Sequence, residues 1–442
     1  MHRDLLSTAT VSRGSCCSGR MSRSLVIGAP VPGTDPDQTA MNTPASSSPP
    51  VIAHVLHRLY LAGAEVLAAA LGRQLSASGA QGGAMRFVYL CLDEVGPLGE
   101  QLRDEGFTVI DLGRRPGVDL GVARRIAALC REHEVALLHA HQYTPFFYSA
   151  MARAWPTRMG PIIRGHPPIL FTEHGRHYPD TPNRKRIAAN RLLLRRHDRI
   201  TAVGEWVKQA LVDNEGLHPS RIEVIRNGID PERFHPPDAD ERLRARTTLG
   251  LNPQQPVALQ VARFHPVKDH ATAIRGWAHV AEQVPGAVLL LVGDGELRPQ
   301  AESLVQDLGL EASVRFLGVR DDVPELMAAA DVFVLSSLSE GISVTLLEAM
   351  ATALAVVATQ VGGNSEVVSD GETGLLSPRG DGRALGENLA RLLAAPDRAR
   401  TMGRAGRQRL LDRFTQHQMH QRYSDLYRQM LGPVDAAHPA GR

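Results

Sequence analysis

From residue 51 onward, short apolar runs alternate with stretches whose apolar positions recur every three or four residues. The runs at 51–56, 87–92, 108–112, 135–139, 199–203 and 223–226, and one within 162–172, predict strands. Residues 64–75 and part of 117–132 have the periodicity of helices. A turn-rich segment, Asn-Gly-Ile-Asp-Pro-Glu-Arg-Phe over 227–234 followed by His-Pro-Pro-Asp, interrupts this pattern. It then restarts, with runs at 257–261, 288–292, 314–317, 331–335 and 355–359, and a last amphipathic helix over 414–431. Strands alternating with helices imply parallel sheets joined by right-handed crossovers. The expected organisation is an extension (1–50), a first α/β domain (51–232), a second (233–413), a final helix (414–432) and a tail (433–442). Open α/β sheets bind ligands beyond the carboxyl ends of their strands, so two such sheets facing each other would make a cleft.

Residues 1–50 are rich in Ser, Thr, Pro and Gly, lack periodicity and are expected to be disordered. The natural start is expected at Met41, or at Met21. An intact mass that includes residues 1–40 would reject this. The chain has 442 residues, 43% hydrophobic and 22% charged, as in an ordinary soluble protein with room for two full cores. A net charge of +2 gives no reason to expect a nucleic-acid partner. Four cysteines without paired or metal-ligand spacing suit a reducing compartment. There is no apolar run of membrane-spanning length and no secretion signal, so a cytoplasmic location is expected. Positive charge is written almost wholly as arginine, with lysine only at 185, 208 and 268, which draws notice to a lysine in a motif.

The most informative stretch is Ser-Ser-Leu-Ser-Glu-Gly-Ile-Ser-Val-Thr-Leu-Leu-Glu-Ala-Met over 336–350. A strand leads into it and a helical pattern leaves it, so Gly341, Ile342 and Ser343 lie where a helix mouth presents unpaired N–H groups to an anion such as phosphate. Glu340 and Glu348 bracket that turn and suit hydroxyls rather than phosphate: Glu340 a sugar, Glu348 a ribose. Spacing alone would favour two solvated glutamates. With Ser-Glu-Gly, Leu-Glu-Ala-Met and the downstream Val-Gly-Gly-Asn-Ser-Glu over 361–366 and Gly-Glu-Thr-Gly-Leu-Leu over 371–376, however, the chain resembles the retaining GT-B glycosyltransferases of family 4 and their Glu-x7-Glu motif. That resemblance implies the GT-B architecture, two Rossmann-like parallel-sheet domains facing a central cleft, with the final helix crossing back onto the first.

Other segments fit the same family. Leu-Ala-Gly-Ala-Glu over 61–65 resembles its Gly-Gly-Ala-Glu turn, with Ala62 for the first glycine and Gly63 in the second position. Phe-Thr-Glu-His-Gly-Arg over 171–176 carries its Thr-x-His pattern, which implies that His174 stands beside the reacting sugar. His139 and His141 are expected to line the cleft, and Arg176, His177 and Tyr178 to face the acceptor. Val-Ala-Arg-Phe-His-Pro-Val-Lys over 261–268 resembles a Gly-Arg-x4-Lys segment, with Ala262 for glycine. Arg263 and Lys268 are suited to a diphosphate. Gly293 belongs to a Gly-x-Gly turn that in the family lines the nucleotide, and the backbone near Val319 would read the base. Arg298 stands where a GxGxxG fingerprint needs its last glycine.

The resemblance implies a hexosyltransferase-type enzyme that needs no metal and no cofactor. Its co-substrate would be a nucleotide diphosphate sugar, expected to be UDP-linked, and its acceptor a glycan or lipid-linked molecule in cell-surface polysaccharide synthesis. Two alternatives stand beside it: a non-hydrolysing sugar-nucleotide epimerase on the same fold, and an inactive donor-binding module. The basic stretch 183–199 is either a solvated helix face or a surface for anionic lipid, which would make the protein peripheral at the inner membrane face.

Overall fold

The computed structural model describes residues 49–60, 63–77, 85–153, 166–176 and 178–432. The expectations for the extension (1–50), the tail and His177 therefore fall outside the described residues, apart from positions 49 and 50.

The first sheet has seven parallel strands. They are β1 (Val51–Arg58), β2 (Arg86–Glu94), β3 (Thr108–Asp111), β4 (Val135–His141), β5 (Ile169–Glu173), β6 (Arg199–Ala202) and β7 (Ile222–Val224). Their spatial order is β3-β2-β1-β4-β5-β6-β7. Between them run α1 (Gly63–Ala77), α2 (Gly96–Asp104), α3 (Leu120–Glu132), α4 (Tyr143–Arg153), α5 (Arg184–Leu193) and α6 (Glu205–Glu215). Helix α7 (Ala239–Thr248) leads into the second sheet, anchored by a reciprocal Asp238–Glu241 capping box.

The second sheet comprises β8 (Val257–Val261), β9 (Val288–Val292), β10 (Val314–Gly318), β11 (Val332–Leu335), β12 (Ala355–Thr359) and β13 (Gly374–Ser377). It is also parallel, in the order β10-β9-β8-β11-β12-β13. Its helices are α8 (His270–Gln283), α9 (Arg298–Asp307), α10 (Val323–Ala329), α11 (Val344–Ala351), α12 (Asn364–Val367), α13 (Gly382–Leu393) and α14 (Pro396–Arg413). Both sheets reverse their strand order beside the first strand of the domain, which opens a crevice at the carboxyl edge. The central strands are covered on both faces. All of Val-Leu-Leu-Leu-Val in β9 is buried, which is why such strands are uninterrupted apolar runs rather than alternating ones.

The last helix, α15 (Gln416–Leu431), starts from a Thr415–Gln418 capping box and lies on the first sheet. Its Met419, Tyr423, Leu426 and Tyr427 pack with Ile52, Leu56, Leu137 and Leu170. The two halves are thus tied by the chain itself as well as by the contacts described below. Among the described residues, no helix is long and apolar enough to cross a membrane.

Candidate active site

The mouth of α11 meets the carboxyl edge of the first sheet. Gly341 has no room for a side chain, since a Cβ there would lie 2.3 Å from His174 O and 3.0 Å from Val203 Cγ2. Asn227 donates from Nδ2 to Ile342 O at 2.9 Å, a hydrogen bond between the halves. Gly63, at the start of α1, also abuts α11: a Cβ there would sit 3.1 Å from Val344 Cγ2. Among the described residues, no protein acceptor takes the N–H groups of Gly341, Ile342 and Ser343, nor those of the first helical turn, Val344 to Leu346. The side chain of Ser343 does not cap the helix. The positive end of α11 is therefore left for an external anion.

Lys268 and Glu340 are brought together. Lys268 Nζ lies 2.5 Å from Glu340 Oε1, and Ser337 Oγ donates to the same oxygen at 2.5 Å. The loops that carry them are laced by Leu338 N to Val267 O at 2.7 Å and Ser336 Oγ to Lys268 O at 3.0 Å. Lys268 ends a 3-10 turn (Pro266–Lys268), and Asp269 after it takes the left-handed φ of 45° while capping α8 through Thr272. Sequence reasoning sent Lys268 to a diphosphate and Glu340 to a sugar. In the free protein they hold each other, and an ammonium with three donors can keep that carboxylate while accepting a phosphate.

Arg263, just past β8, is exposed, and its guanidinium makes no hydrogen bond or ion pair among the described residues. Its charge acts on Glu65, in the first turn of α1. Burial pushes the Glu65 carboxyl up, and Arg58 and Arg263 work against that. Gly63 abuts Val344, and Glu65, two residues on, lies within electrostatic reach of Arg263, so the start of α1 connects the α11 mouth with the side of the site that carries the guanidinium. Beside it the next turns interlock. A Cβ on Gly293 would fall 2.2 Å from Ala262 O, and Gly293 N donates to Gly318 O at 2.8 Å. Val319 follows, 74% exposed, an unusual state for a valine.

Glu348 lies one turn into α11, half-buried, with no side-chain hydrogen bond among the described residues. Burial pushes its carboxyl up to about 7, against the attraction of Arg233. A cavity of about 330 Å³ lies elsewhere, bounded by Arg233, His235, Glu241, Arg244, Asp322 and Glu325 among others, and does not include Lys268, Glu340 or His174.

Three expectations are corrected. His139 and His141 do not line the cleft: they are 0% and 4% exposed, hydrogen-bonded inside the first domain. Arg176 does not face an acceptor. It is held by Asp180 at 2.8 Å and Glu215 at 2.7 Å, with Glu173 at 3.6 Å, and so pins the loop after His174. Tyr178, by contrast, stays 48% exposed, with the Arg379 guanidinium of the second half 5.0 Å over its ring.

The segment 361–366 resembles the family in sequence, but two of its contacts could not be read from it. Glu366 reaches across to the first domain and accepts from Glu205 N at 2.9 Å and Trp206 N at 2.8 Å, capping α6. Gly362 and Gly363 lie directly on the Glu340–Gly341 backbone, where Cβ atoms would come 2.0 Å from Glu340 O and 1.8 Å from Gly341 O. The close approach explains the paired glycines. Gly363→Ala should push the α11 mouth out of place and weaken its affinity for inorganic diphosphate about 10-fold by calorimetry. Unchanged affinity would mean that the 361–363 turn does not shape the site.

The family described as Glycosyltransferase Family 4 matches residues 61–233, and Glycosyl transferases group 1 matches 241–409. The chain is 27% identical over 332 residues to the putative glycosyltransferase EpsD of Bacillus subtilis (strain 168), covering 73% of this chain and 84% of that protein. It is 31% identical over 309 residues to a GDP-mannose-dependent alpha-(1-6)-phosphatidylinositol monomannoside mannosyltransferase of Mycolicibacterium smegmatis (strain ATCC 700084 / mc(2)155), covering 66% and 76%. In fold it is similar to the crystal structure of Anabaena HepE in complex with UDP and glucose, with a TM-score of 0.72 at 22% identity over 85% of this chain and 98% of that one.

Proposed function

We propose a donor and a mechanism for this chain, which belongs to the group 1 glycosyltransferases and is an enzyme of the GT-B fold. It transfers a sugar from a UDP-linked donor, with retention of configuration, to a glycan or lipid-linked acceptor in cell-surface polysaccharide synthesis. The observation that carries this reading is the Lys268–Glu340 pair at an unsatisfied helix mouth, with Arg263 unpaired beside it and His174 opposite.

Breaking a glycosyl–phosphate bond builds negative charge on the leaving diphosphate and positive charge on the sugar. Arg263, Lys268 and the N–H groups of the α11 mouth supply fixed positive potential for the first, a preorganised effect, and do so without a metal. Glu340 then orients the donor sugar rather than attacking it, and Glu348 takes the ribose hydroxyls. The leaving phosphate oxygen accepts the proton of the acceptor hydroxyl on the same face, so the new bond forms where the old one broke. UDP rather than GDP rests on the HepE complex. The GDP-mannose relative keeps the other base in view.

Incubation with radiolabelled UDP-sugars tests the reading. Transfer or slow hydrolysis supports it, interconversion of free UDP-sugars would make the protein an epimerase, and neither would make it a binding module. Retention is read from the anomeric coupling of the product.

Donor binding should depend on Glu348. Its carboxyl, raised to about 7, ionises as pH climbs through neutrality and becomes a better acceptor for the ribose diol. The donor Kd should fall about 10-fold from about pH 6 to about pH 8, and Glu348→Gln should flatten that slope. The sign for stability is the opposite. A carboxyl raised above its ordinary 4.5 contributes stability that is lost as pH rises through about 7.

Membrane contact is part of the same proposal. Leu192 is 84% exposed among the exposed Arg191, Arg195 and Arg196, a mixed basic and apolar surface suited to anionic lipid. Vesicles rich in anionic lipid should sediment the protein and neutral ones should not. Indifference to lipid charge would leave α5 a solvated face.

A further inference from the structure

Four histidines and a tyrosine form one buried hydrogen-bonded chain in the first domain. Register explains how they meet. His54 on β1 is aligned with His139 on β4, His141 with Thr172 on β5, and Thr172 with Thr201 on β6. These side chains share one face of the sheet, and α15 covers that face. His174 Nε2 is 2.9 Å from His141 Nδ1, and His141 Nε2 is 2.8 Å from His54 Nδ1. His54 Nε2 is 3.4 Å from the Tyr427 hydroxyl, which is 2.6 Å from His139 Nδ1. His139 Nε2 is 2.7 Å from Thr172 Oγ1, which is 2.6 Å from Thr201 Oγ1. The only ring nitrogen of the four histidines without a partner is His174 Nδ1, which is buried.

Desolvation holds all four rings neutral. His54 falls to about 3, His174 to about 4, and His139 and His141 lie well below the ordinary value. A neutral imidazole has one N–H and one lone pair, so setting the direction of one bond sets every other bond in the chain. Tyr427 sets it. Its hydroxyl has one proton for two contacts, at 2.6 Å and 3.4 Å. The short contact suits an O–H donor and is tighter than the ordinary N–H···O range, while the long one suits an N–H donor better than a phenol. With the phenol donating to His139, His54 donates to Tyr427, His141 to His54, and His174 to His141 through Nε2–H. The unpartnered Nδ1 of His174 is then a lone pair.

We propose that this chain sets the tautomer of His174, leaving its buried Nδ1 a bare hydrogen-bond acceptor that serves a hydroxyl of the sugar or the acceptor once substrate entry uncovers it. His54, His141 and Tyr427 are positioning residues, acting through His174. The proposal rests on the reading that His174 stands beside the reacting sugar, and its backbone carbonyl already lies against Gly341 at the α11 mouth. His54, His139 and His141 also offer one ring nitrogen each within 4.8 Å of one another, as metal ligands would. All six of their ring nitrogens are already bonded, so a cation would have to break at least two of those bonds.

Long-range proton–nitrogen NMR of protein labelled at histidine nitrogen reads the tautomer directly, with His174 assigned by its loss in His174→Gln. The expected spectrum has Nε2–H and a bare Nδ1 at His174. Tyr427→Phe removes the phenol with little change of shape. It should give mixed tautomers at His174 and lower kcat about 10-fold, with nucleoside diphosphate affinity within about 2-fold. His141→Asn keeps an oxygen acceptor near the place of Nδ1 and should retain both tautomer and turnover better than His141→Leu. An Nδ1–H at His174 in the unaltered protein, a metal recovered with the three histidines, or Tyr427→Phe leaving spectrum and kcat unchanged would overturn the proposal. If no sugar nucleotide is turned over while the bare Nδ1 is seen, the functional reading fails and the tautomer assignment stands.

Discussion

Lys268→Ala lowers kcat for sugar transfer by about 10²-fold or more, the scale of losing one preorganised charge at a developing anion. The ammonium has two tasks here. On the proposed reading it serves the leaving diphosphate, and in the structure it holds Glu340, whose Oε1 lies 2.5 Å away. Without it Glu340 keeps Ser337, again at 2.5 Å, but its charge faces the phosphate unbalanced. Lys268→Arg should not restore the rate fully, because a planar fork cannot replace a compact three-donor head between two anions. Arg263→Ala and Glu340→Ala should fall on the same scale. Of the three, Arg263 has no internal partner to lose, so its effect should be purely on donor binding and turnover, with no change in thermal stability. Near-normal turnover in two of the three variants would reject these roles.

Asp198→Ala removes about 3–5 kcal/mol of stability. Asp198 and Arg153 are 1% and 3% exposed at the side chain and bonded at both ends of the fork, at 2.7 and 3.0 Å. The same carboxylate also accepts from Ile169 N at 2.9 Å and Arg195 N at 2.7 Å. It therefore ties the end of α4, the start of β5 and the turn after α5. Cutting it strands a buried guanidinium, which costs more than the pair itself contributes. Chemical denaturation should show the midpoint falling with an unchanged slope. A loss below about 1 kcal/mol would place the pair with ordinary surface bridges.

The central strands of both sheets were legible because parallel strands buried on two faces are written as apolar runs. The short β13, which begins with glycine, did not declare itself. Nor did α4, whose Tyr-Thr-Pro-Phe-Phe-Tyr start is buried on so many sides that it lacks the helical period. At the site, the loops after β8 and β11 could be read from local motifs, so Arg263, Lys268, Glu340 and Glu348 were candidates from sequence alone. What escaped was carried by distant partners. Glu366 caps a helix 160 residues away, and Tyr427 meets a histidine 288 residues away. One clue was present: His54 interrupts an otherwise apolar strand, and a buried polar side chain needs a partner. Arg176 was misplaced because proximity to His174 in sequence says nothing of the carboxylates that fold around it.

The most direct test of the donor site is a crystal structure of the protein with UDP bound. The account predicts the diphosphate within hydrogen-bond distance of Arg263, Lys268 and the first N–H groups of α11, with the ribose hydroxyls on Glu348. Diphosphate density away from Lys268 and α11, for example in the cavity beside Arg233 and Arg244, would contradict it.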